Sequence, residues 1–235
     1  MPVNVTKRPK RKPGQKAHLT RAKIIAKALP LLDDNPDLGM AGIAKGLGVA
    51  PAAIYAHFRG RLAEIHTEVI RAILADVARP PKPNETCEAY LRDLFDAVFA
   101  AFYKHRKVAL LFGREIAANY YLNPLLVERV LYALSLAGLP ENEKVVALNL
   151  VMGSLVGMIT IECAYPTSLS PAKWSLSQSS TVDALPAGEY PQIKALKIKL
   201  GGAVNARSVH KPTPARAQRF ADSLIAGLKA QFSLV

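Results

Sequence analysis

Cysteines and histidines are few in this chain of 235 residues, and their spacing excludes the common metal sites. The two cysteines, Cys87 and Cys163, form no metal-binding spacing with each other or with any of the five histidines. Two separate thiols also exclude a disulfide framework and are typical of a reducing compartment. We therefore predict a cytoplasmic protein with no metal site and no bound cofactor.

Catalytic motifs are also missing from the sequence. It contains no glycine-rich phosphate loop, no G-x-S-x-G elbow, no H-E-x-x-H pair and no pair of carboxylates in a catalytic context. Each absence removes a class of enzyme. The sequence therefore predicts a protein that is not an enzyme.

Long apolar runs are scarce, and only one tests whether the chain enters a membrane. Residues 145–161, "VVALNLVMGSLVGMITI", carry no charge, which is close to the lower limit of about 17 residues for a spanning helix. Asn149, Gly153 and Gly157 dilute the run, and charged residues flank it on both sides. No apolar segment follows the basic N-terminus, as a secretory signal would require. We expect a buried core helix at 145–161 and no membrane partner.

Acidic residues are outnumbered by basic ones. The chain has 31 Lys and Arg against 18 Asp and Glu, giving a formal net charge of +13 and a pI near 9.8. Such an excess predicts a polyanionic partner, either nucleic acid or an anionic membrane surface. Half of the residues are apolar, and the abundance of Ala and Leu favours helices over strands.

The basic excess is strongest in residues 1–18, here called the basic arm. No acidic residue precedes Asp33, and prolines interrupt the arm, so we expect it to be disordered and to contact DNA phosphates. A solvated tail without a partner is the simpler alternative. The basic residues assigned to DNA in this segment are Lys7, Arg8, Lys10, Arg11 and Lys12.

Helical periodicity begins directly after the basic arm. Ile25, Ala28, Leu29 and Leu32 share one helix face. The pattern predicts four helices before the proline cluster "RPPKP", which no helix can cross and which we interpret as a hinge. Their predicted ranges are 19–33, 40–46, 51–57 and 61–78.

The stretch "GLGVAPAAIYAHF" at 46–58 is typical of a helix-turn-helix. Gly48 gives the turn its backbone freedom, and Pro51 suits the first position of a helix. Ile54 and Phe58 are predicted to face inward. The outward residues are small apart from an aromatic pair, which lets a helix lie deep in a major groove: Ala52, Ala53, Tyr55, Ala56 and His57.

The remainder of the chain predicts an all-α bundle. Helices are expected near 107–118, 123–137, 141–164, 191–200 and 215–232, after a helix that carries Leu91, Leu94 and Phe95. Residues 166–189 are rich in Ser and Pro and predict a long mobile loop. We divide the chain into the basic arm, a helix-turn-helix DNA-binding unit at 19–66 and a larger helical unit at 67–235, for which the family resemblance described next implies ligand binding and dimerisation.

The segment "LTRAKIIAKALPLLDDNPDLGMAGIAKGLGVAPAAIYAHFRGRLAEI" resembles the DNA-binding domain of TetR-type bacterial transcription regulators. The matches lie in "IAKGLGVA", in "IYAHF" and in the basic Arg61 three positions after the phenylalanine. The resemblance implies a homodimeric, ligand-responsive regulator, most simply a repressor, that binds a palindromic double-stranded DNA operator and is released by a small-molecule inducer.

Site residues follow from that resemblance. It implies DNA contacts from Arg21, Ala50, Pro51 and Arg61 in addition to the outward residues of the recognition helix. The chain departs from the usual pattern at Gly39 and Ala50, where a Thr and a Ser would cap helices, and at Lys23, where an acid often completes a capping box. Each missing cap costs about 1 kcal/mol.

The resemblance also implies a small-molecule cavity and a four-helix dimer interface. Plain core packing is the alternative for the aromatic candidates, and structural pairing is the alternative for Arg114, Glu115, Asn149 and Glu162. Trp174 would belong to a lid if the 166–189 loop closes the entrance. The expected ligand-binding residues are Phe95, Phe99, Phe102, Arg114, Asn119, Tyr121, Asn149, Met152 and Trp174, and the expected dimer residues are Gly153, Gly157, Phe220, Leu224 and Leu228.

Two other functions remain compatible with the sequence. The first is an architectural DNA-binding protein of the same fold that has little sequence preference and no regulatory ligand. The second is a membrane-associated protein that uses the basic arm on anionic lipid.

Overall fold

A computed structural model describes residues 19–59, 62–118, 123–162, 180, 183–200 and 214–232. Those residues form helices and connecting turns, with no strand among them, which confirms the all-α prediction. The helices are α1 Arg21–Asp34, α2 Met40–Leu47, α3 Pro51–Phe58, α4 Leu62–Ile73, α5 Cys87–Tyr103, α6 Ala109–Ala118, α7 Pro124–Leu136, α8 Glu141–Glu162, α9 Pro191–Leu200 and α10 Pro214–Phe232.

Helices α1 to α4 enclose a small core built from one apolar face of each helix. Helix α1 begins where the Thr20 hydroxyl accepts a hydrogen bond from the Lys23 backbone N–H at 3.2 Å and so satisfies one of the free donors of its first turn. The apolar spacing along α1 then turns every third or fourth side chain inward. The residues that are fully buried in this unit include Ile24, Ala28, Leu32, Ile43, Ile54, Phe58 and Ile65.

Helix α4 ends at Ile73, before the predicted end at Ala78. Beyond Ile73 the backbone tightens: the N–H of Ala75 bonds to the carbonyl of Ala72, and the N–H of Val77 bonds to that of Leu74. These bonds span three residues instead of four, as is common at helix ends. The prolines of "RPPKP" lie farther along, so local backbone geometry sets this boundary.

The C-terminal helices form a bundle around α5. Helix α5 packs against α7, α8 and α10, and α8 packs against α6. Seven of its apolar side chains are buried at helical spacing between Tyr90 and Phe102, and the rings of Phe102 and Phe112 lie 4.6 Å apart between centroids. Two ion pairs, Arg92 with Asp222 and Lys229 with Glu88, tie α10 to α5.

The segment between α4 and α5 is held by contacts of Arg79, and the hinge predicted at the prolines stays a prediction. Its guanidinium donates to Glu85 and, at 2.7 Å, to Asp93, and it lies over the ring of Tyr90 at 5.2 Å. The Tyr90 hydroxyl in turn donates to the Arg79 carbonyl at 3.2 Å. Side-chain hydrogen bonds from Arg79 lower the pKa of the Glu85 carboxyl to about 2. The linker is therefore fastened to the start of the bundle.

Glu85→Gln should weaken the protein most at neutral pH. The ionised Glu85 is favoured in the folded state, whereas in the unfolded chain the carboxyl titrates near 4.5. Its contribution is present above pH 4.5 and is lost as the pH falls toward about 2. Thermal unfolding should show a lower midpoint for Glu85→Gln at pH 7 and a smaller difference from wild type at pH 3. The exposed Glu128 provides the control, Glu128→Gln; equal behaviour of the two variants would contradict this account.

Candidate nucleic-acid interface

The turn between α2 and α3 depends on the backbone conformation of Gly48. Its φ of 67° and ψ of 32° lie in the left-handed region, which costs a residue with a β-carbon about 1–2 kcal/mol. The Gly48 N–H bonds to the carbonyls of Ala44 and Lys45 and closes the end of α2. The chain can then reverse within three residues and begin α3 at Pro51, which gives a helix-turn-helix.

Helices α2 and α3 begin without side-chain caps. Gly39 and Ala50 occupy the N-cap positions, and neither supplies a capping hydrogen bond. Pro51 at the first position of α3 has no N–H that would need a partner. The sequence departs from the usual family pattern at positions 39 and 50. In the structure both positions are the N-caps of helices.

Helix α3 buries one side and leaves the other open. Ile54 and Phe58 are fully buried, as the sequence predicts. Tyr55 is 44% exposed, so its hydroxyl can reach a partner outside the protein. Around it lie exposed Ala50, Pro51, Ala52 and Ala56, with half-buried Ala53 and His57. This surface is narrow and carries few charges, which suits close approach to the floor of a major groove.

Arg21 clamps three helices of this unit together. Its guanidinium donates to the His57 carbonyl at the end of α3 and to Glu64 on α4 at 2.8 Å. It also lies 4.3 Å from the centre of the Phe58 ring, a distance typical of a cation–π contact. The side chain is still 46% exposed. Arg21 therefore positions α3, and the DNA contact predicted for it stays a prediction.

Positive charge borders the open side of α3. Lys45 on α2 and Arg59 directly after α3 are both exposed, and Arg59 adopts a positive φ of 35°. Sequence reasoning did not assign Lys45, although its place in the last turn of α2 marks it as a neighbour of the turn. The basic arm and Arg61 lie outside the described residues, so their predicted DNA contacts stay predictions: Lys7, Arg8, Lys10, Arg11, Lys12 and Arg61.

The helix-turn-helix unit meets the bundle at two places, the turn before α6 and α6 itself. At the first, the turn before α6 contacts the end of α1: Lys107 donates to the Asp34 carbonyl at 2.6 Å, and His105 Nδ1 lies 3.3 Å from Asp33. At the second, α4 packs against α6 itself. A displacement of α6 would therefore act on α4, and a displacement of the turn before it would act on the end of α1.

The α4–α6 contact contains a polar cluster formed by His66, Arg114 and Glu115. His66 is 3% exposed and Glu115 is 8% exposed. Arg114 Nη2 lies 2.9 Å from His66 Nδ1, and Arg114 Nε donates to Glu115 at 3.2 Å. Burial lowers the pKa of His66, and the nearby Arg114 charge lowers it further, against the opposing effect of Glu115. The imidazole is therefore neutral at pH 7.

Sequence reasoning named Arg114 and Glu115 but missed His66. The signal was present: His66 lies beside Ile65 and three or four residues before Val69 and Ile70, and all four side chains are buried. Apolar periodicity along α4 therefore places a titratable side chain on the buried face.

The residues predicted to bind a ligand lie in different parts of the structure. Phe95, Phe99, Phe102 and Met152 are buried in the bundle, which is compatible with a cavity lining or with plain core packing. Asn149 is exposed on the outer face of α8, so it does not lie among those buried side chains. Asn119, Tyr121 and Trp174 fall outside the described residues, as does most of the predicted 166–189 loop.

Helix α8 has two apolar faces. It is the one described helix long and apolar enough to cross a membrane by length and composition, with a mean hydropathy of 1.9, and 44% of that window is buried. One face packs on α6, α7 and α10. The other face, here called the open α8 face, has no neighbouring atoms within 4 Å of where a β-carbon would stand at Gly153 or Gly157. Its exposed members are Val145, Val146, Asn149, Leu150, Gly153 and Ile161.

The apolar side of α10 faces its own subunit, which differs from the dimer role predicted for it. Leu228 is only 1% exposed, and Phe220 and Leu224 pack partly buried against the core. The reason is that α10 completes the bundle by covering α5 and α8. Its outward side instead carries small exposed residues, namely Ser223, Ala226, Gly227 and Ala230.

Comparison with solved structures identifies the fold. A possible TetR-family transcriptional regulator from Streptomyces coelicolor A3(2) superimposes with a TM-score of 0.67 at 22% sequence identity, over 90% of this chain and 99% of that one. ActR from Streptomyces coelicolor in complex with actinorhodin gives a TM-score of 0.67 at 22% identity, over 91% and 98% of the two chains. BioQ with its double-stranded DNA operator gives a TM-score of 0.56 at 24% identity, over 70% and 96%.

The chain therefore has the fold of the TetR-family transcriptional regulators: an N-terminal helix-turn-helix followed by a helical bundle. No protein-family model matches the sequence, and no curated protein matches it. The similarity lies in the three-dimensional arrangement of the helices.

Substitutions at Gly48 should show that the stability of the turn depends on its left-handed backbone conformation. Gly48→Val requires a β-branched residue at positive φ and should destabilise the protein by at least 1–2 kcal/mol. Gly48→Asn should cost much less, because Asn tolerates the left-handed region. No atom lies within 4 Å of a β-carbon added at Gly48. A difference in stability between the two variants therefore reports backbone conformation and not a steric clash. Thermal unfolding measures both variants, and equal losses would count against the turn assignment.

Proposed function

We propose that this protein is a TetR-family transcriptional regulator, a cytoplasmic homodimeric repressor that reads a palindromic operator and is released by a small-molecule inducer. The observation that carries the proposal is the surface of α3. Its alanines and Tyr55 face outward, while Ile54 and Phe58 fix it on a buried base. BioQ, which has the same fold, is known in complex with its DNA operator.

The outward alanines and Tyr55 have different roles in this proposal. Ala52 and Ala56 allow the α3 backbone to approach base edges, and their methyl groups pack against thymine methyls. The Tyr55 hydroxyl donates to a phosphate oxygen and fixes the register of the helix without reading sequence. Lys45 and Arg59 supply positive charge at the edge of the groove.

The dimer forms through the open α8 face and the small outward residues of α10. An unpartnered apolar face with glycines at 153 and 157 allows two helices to cross closely. Two subunits paired in this way place two α3 helices on one side of a duplex, with half-sites about 34–36 Å apart.

Release by an inducer acts through α6. ActR and a TetR protein from Acinetobacter baumannii have this fold and are known with actinorhodin and minocycline respectively. In this chain α6 packs against α4, and the turn before α6 contacts the end of α1, so a ligand that prefers a shifted α6 also changes the separation of the α3 helices. Such coupling is typically worth 1–3 kcal/mol.

Selection of bound fragments from a random DNA pool tests the regulator function. The purified protein at physiological salt should enrich a palindrome with half-site centres about 10–10.5 base pairs apart, or a multiple of that spacing. Tyr55→Phe should weaken binding to all sequences by a similar factor and leave the motif unchanged. Tyr132→Phe, at another exposed tyrosine on α7, is the matched control. Retention of DNA without any enriched motif would instead establish an architectural protein.

A single substitution on the open α8 face tests the dimer. Gly153→Arg should leave the subunit folded, because nothing lies within 4 Å of the new β-carbon, but should shift the protein to monomers and reduce operator affinity. Ala100→Arg adds the same side chain to an exposed position of α5 and should remain dimeric. Sedimentation measures the oligomeric state of both variants. If the Gly153→Arg protein is still a dimer, the open α8 face is not the dimer interface.

A further inference from the structure

The last turn of α1 is unfavourable as an isolated helix end. Pro30 lies inside the helix and has no N–H to bond to the carbonyl of Ala26. Asp33 and Asp34 follow, and the last turn contains no basic residue, although the partial negative charge of a helix C-terminus disfavours carboxylates. The local sequence therefore does not explain why the helix continues to Asp34.

Basic residues of the turn before α6 supply what this helix end lacks. The Lys107 ammonium donates to the Asp34 carbonyl at 2.6 Å and lies 3.7 Å from the Asp34 carboxylate. His105 Nδ1 lies 3.3 Å from the Asp33 carboxylate, and because a carboxylate only accepts, Nδ1 carries the proton. The His105 and Lys107 side chains are 29% and 35% exposed, so solvent screens them only in part. These bonds are here called the α1 contact.

Helix α1 cannot change its orientation without the rest of the helix-turn-helix unit. Ile24 and Leu32 are fully buried in the core of the unit, and such interiors are densely packed. At the opposite end of α1, Arg21 donates to the His57 carbonyl at the end of α3. An attachment at Asp34 is therefore also an attachment of the recognition helix.

We propose that Lys107 and His105 are positioning residues that set the half-site spacing accepted by the dimer. The packing of α4 on α6 is one contact between the unit and the bundle, and a body held at a single contact is free to rotate about it. The α1 contact is a second, separate point, and it removes that rotation. This inference rests on the proposed homodimeric DNA-binding function, because a spacing is defined only for two α3 helices on one duplex.

Loss of the α1 contact should therefore relax the spacing requirement and leave base preference intact. The bases within each half-site are read by the outward surface of α3, which neither Lys107 nor His105 belongs to. The separation of the two α3 helices depends instead on how each unit is oriented on its bundle. Spacing and base preference are thus separable properties of this protein.

The first test compares operators of different spacing with the full-length protein. The palindrome enriched from random DNA is compared with versions whose centre is one base pair longer or shorter, and wild type should prefer the enriched spacing. Lys107→Met should reduce that preference at least about threefold, whereas Lys107→Arg keeps a donor and should retain it. Partial unfolding would weaken binding to all spacings by one factor, so an unchanged ratio in Lys107→Met overturns the proposal.

Matched variants assign the effect to the α1 contact. Arg92→Met removes one positive charge and the ion pair with Asp222 inside the bundle, and it should leave the spacing preference unchanged. An equal change in this control would overturn the proposal. His105→Phe and Asp33→Asn should each reduce the preference, and the double variant should reduce it no further than the stronger single variant. Additive reductions would overturn the role of His105.

The second test measures the orientation of the unit without DNA. Spin labels on Ala56→Cys in α3 and Ala100→Cys in α5, both exposed positions, report the distance between unit and bundle. Cys163→Ser removes one native thiol, and the other, Cys87, is buried. Labelled protein is diluted with unlabelled protein so that distances within one subunit are measured. The distribution should be broader in Lys107→Met than in wild type and in the control variant; equal widths would overturn the proposal.

The two tests distinguish failure of this inference from failure of the proposed function. A palindrome with an unchanged spacing preference and an unchanged distance distribution overturns only the positioning role of Lys107. A broader distribution in a protein that enriches no palindrome overturns the repressor and the role in spacing, and it assigns to Lys107 the orientation of the unit alone.

Discussion

The packing of α4 is the interaction on which the rest of the structure depends. Its buried residues complete the core beneath α1 and α3, and the same helix forms the contact with α6. A single amphipathic helix thus belongs to two units, with Val69 and Ile70 fully buried. Because interiors are densely packed, α4 cannot move without a rearrangement on both sides. The position of α3 is consequently tied to the state of the bundle.

The N-terminal unit could be predicted from sequence almost completely. Local signals determine it: Gly48 for the left-handed turn, Pro51 for the start of a helix, and Ile54 with Phe58 for the buried side of α3. Each signal acts over a few residues, where propensity and periodicity are informative. The predicted end of α4 was wrong because the backbone changes to three-residue hydrogen bonds after Ile73, and the residue pattern does not indicate that change.

The helices of the bundle could be predicted from the sequence, but which helices pack against each other could not. The amphipathic pattern of α10 identifies an apolar face containing Leu228 but does not say whether that face covers its own subunit or another. Only the arrangement around α5 decides this. Similarly, Arg114, His66 and Glu115 come from two helices that are distant in the chain, and no spacing rule connects them.

The empty space beside Gly153 and Gly157 has a consequence for how sequences of this kind vary. Within the subunit no atom lies close enough to limit the size of a side chain at either position. Folding of the single chain therefore exerts no steric selection there. If divergent relatives retain small residues at 153 and 157, that restriction must come from contacts outside the single chain. The residues found at these two positions would then indicate whether a relative assembles through this face.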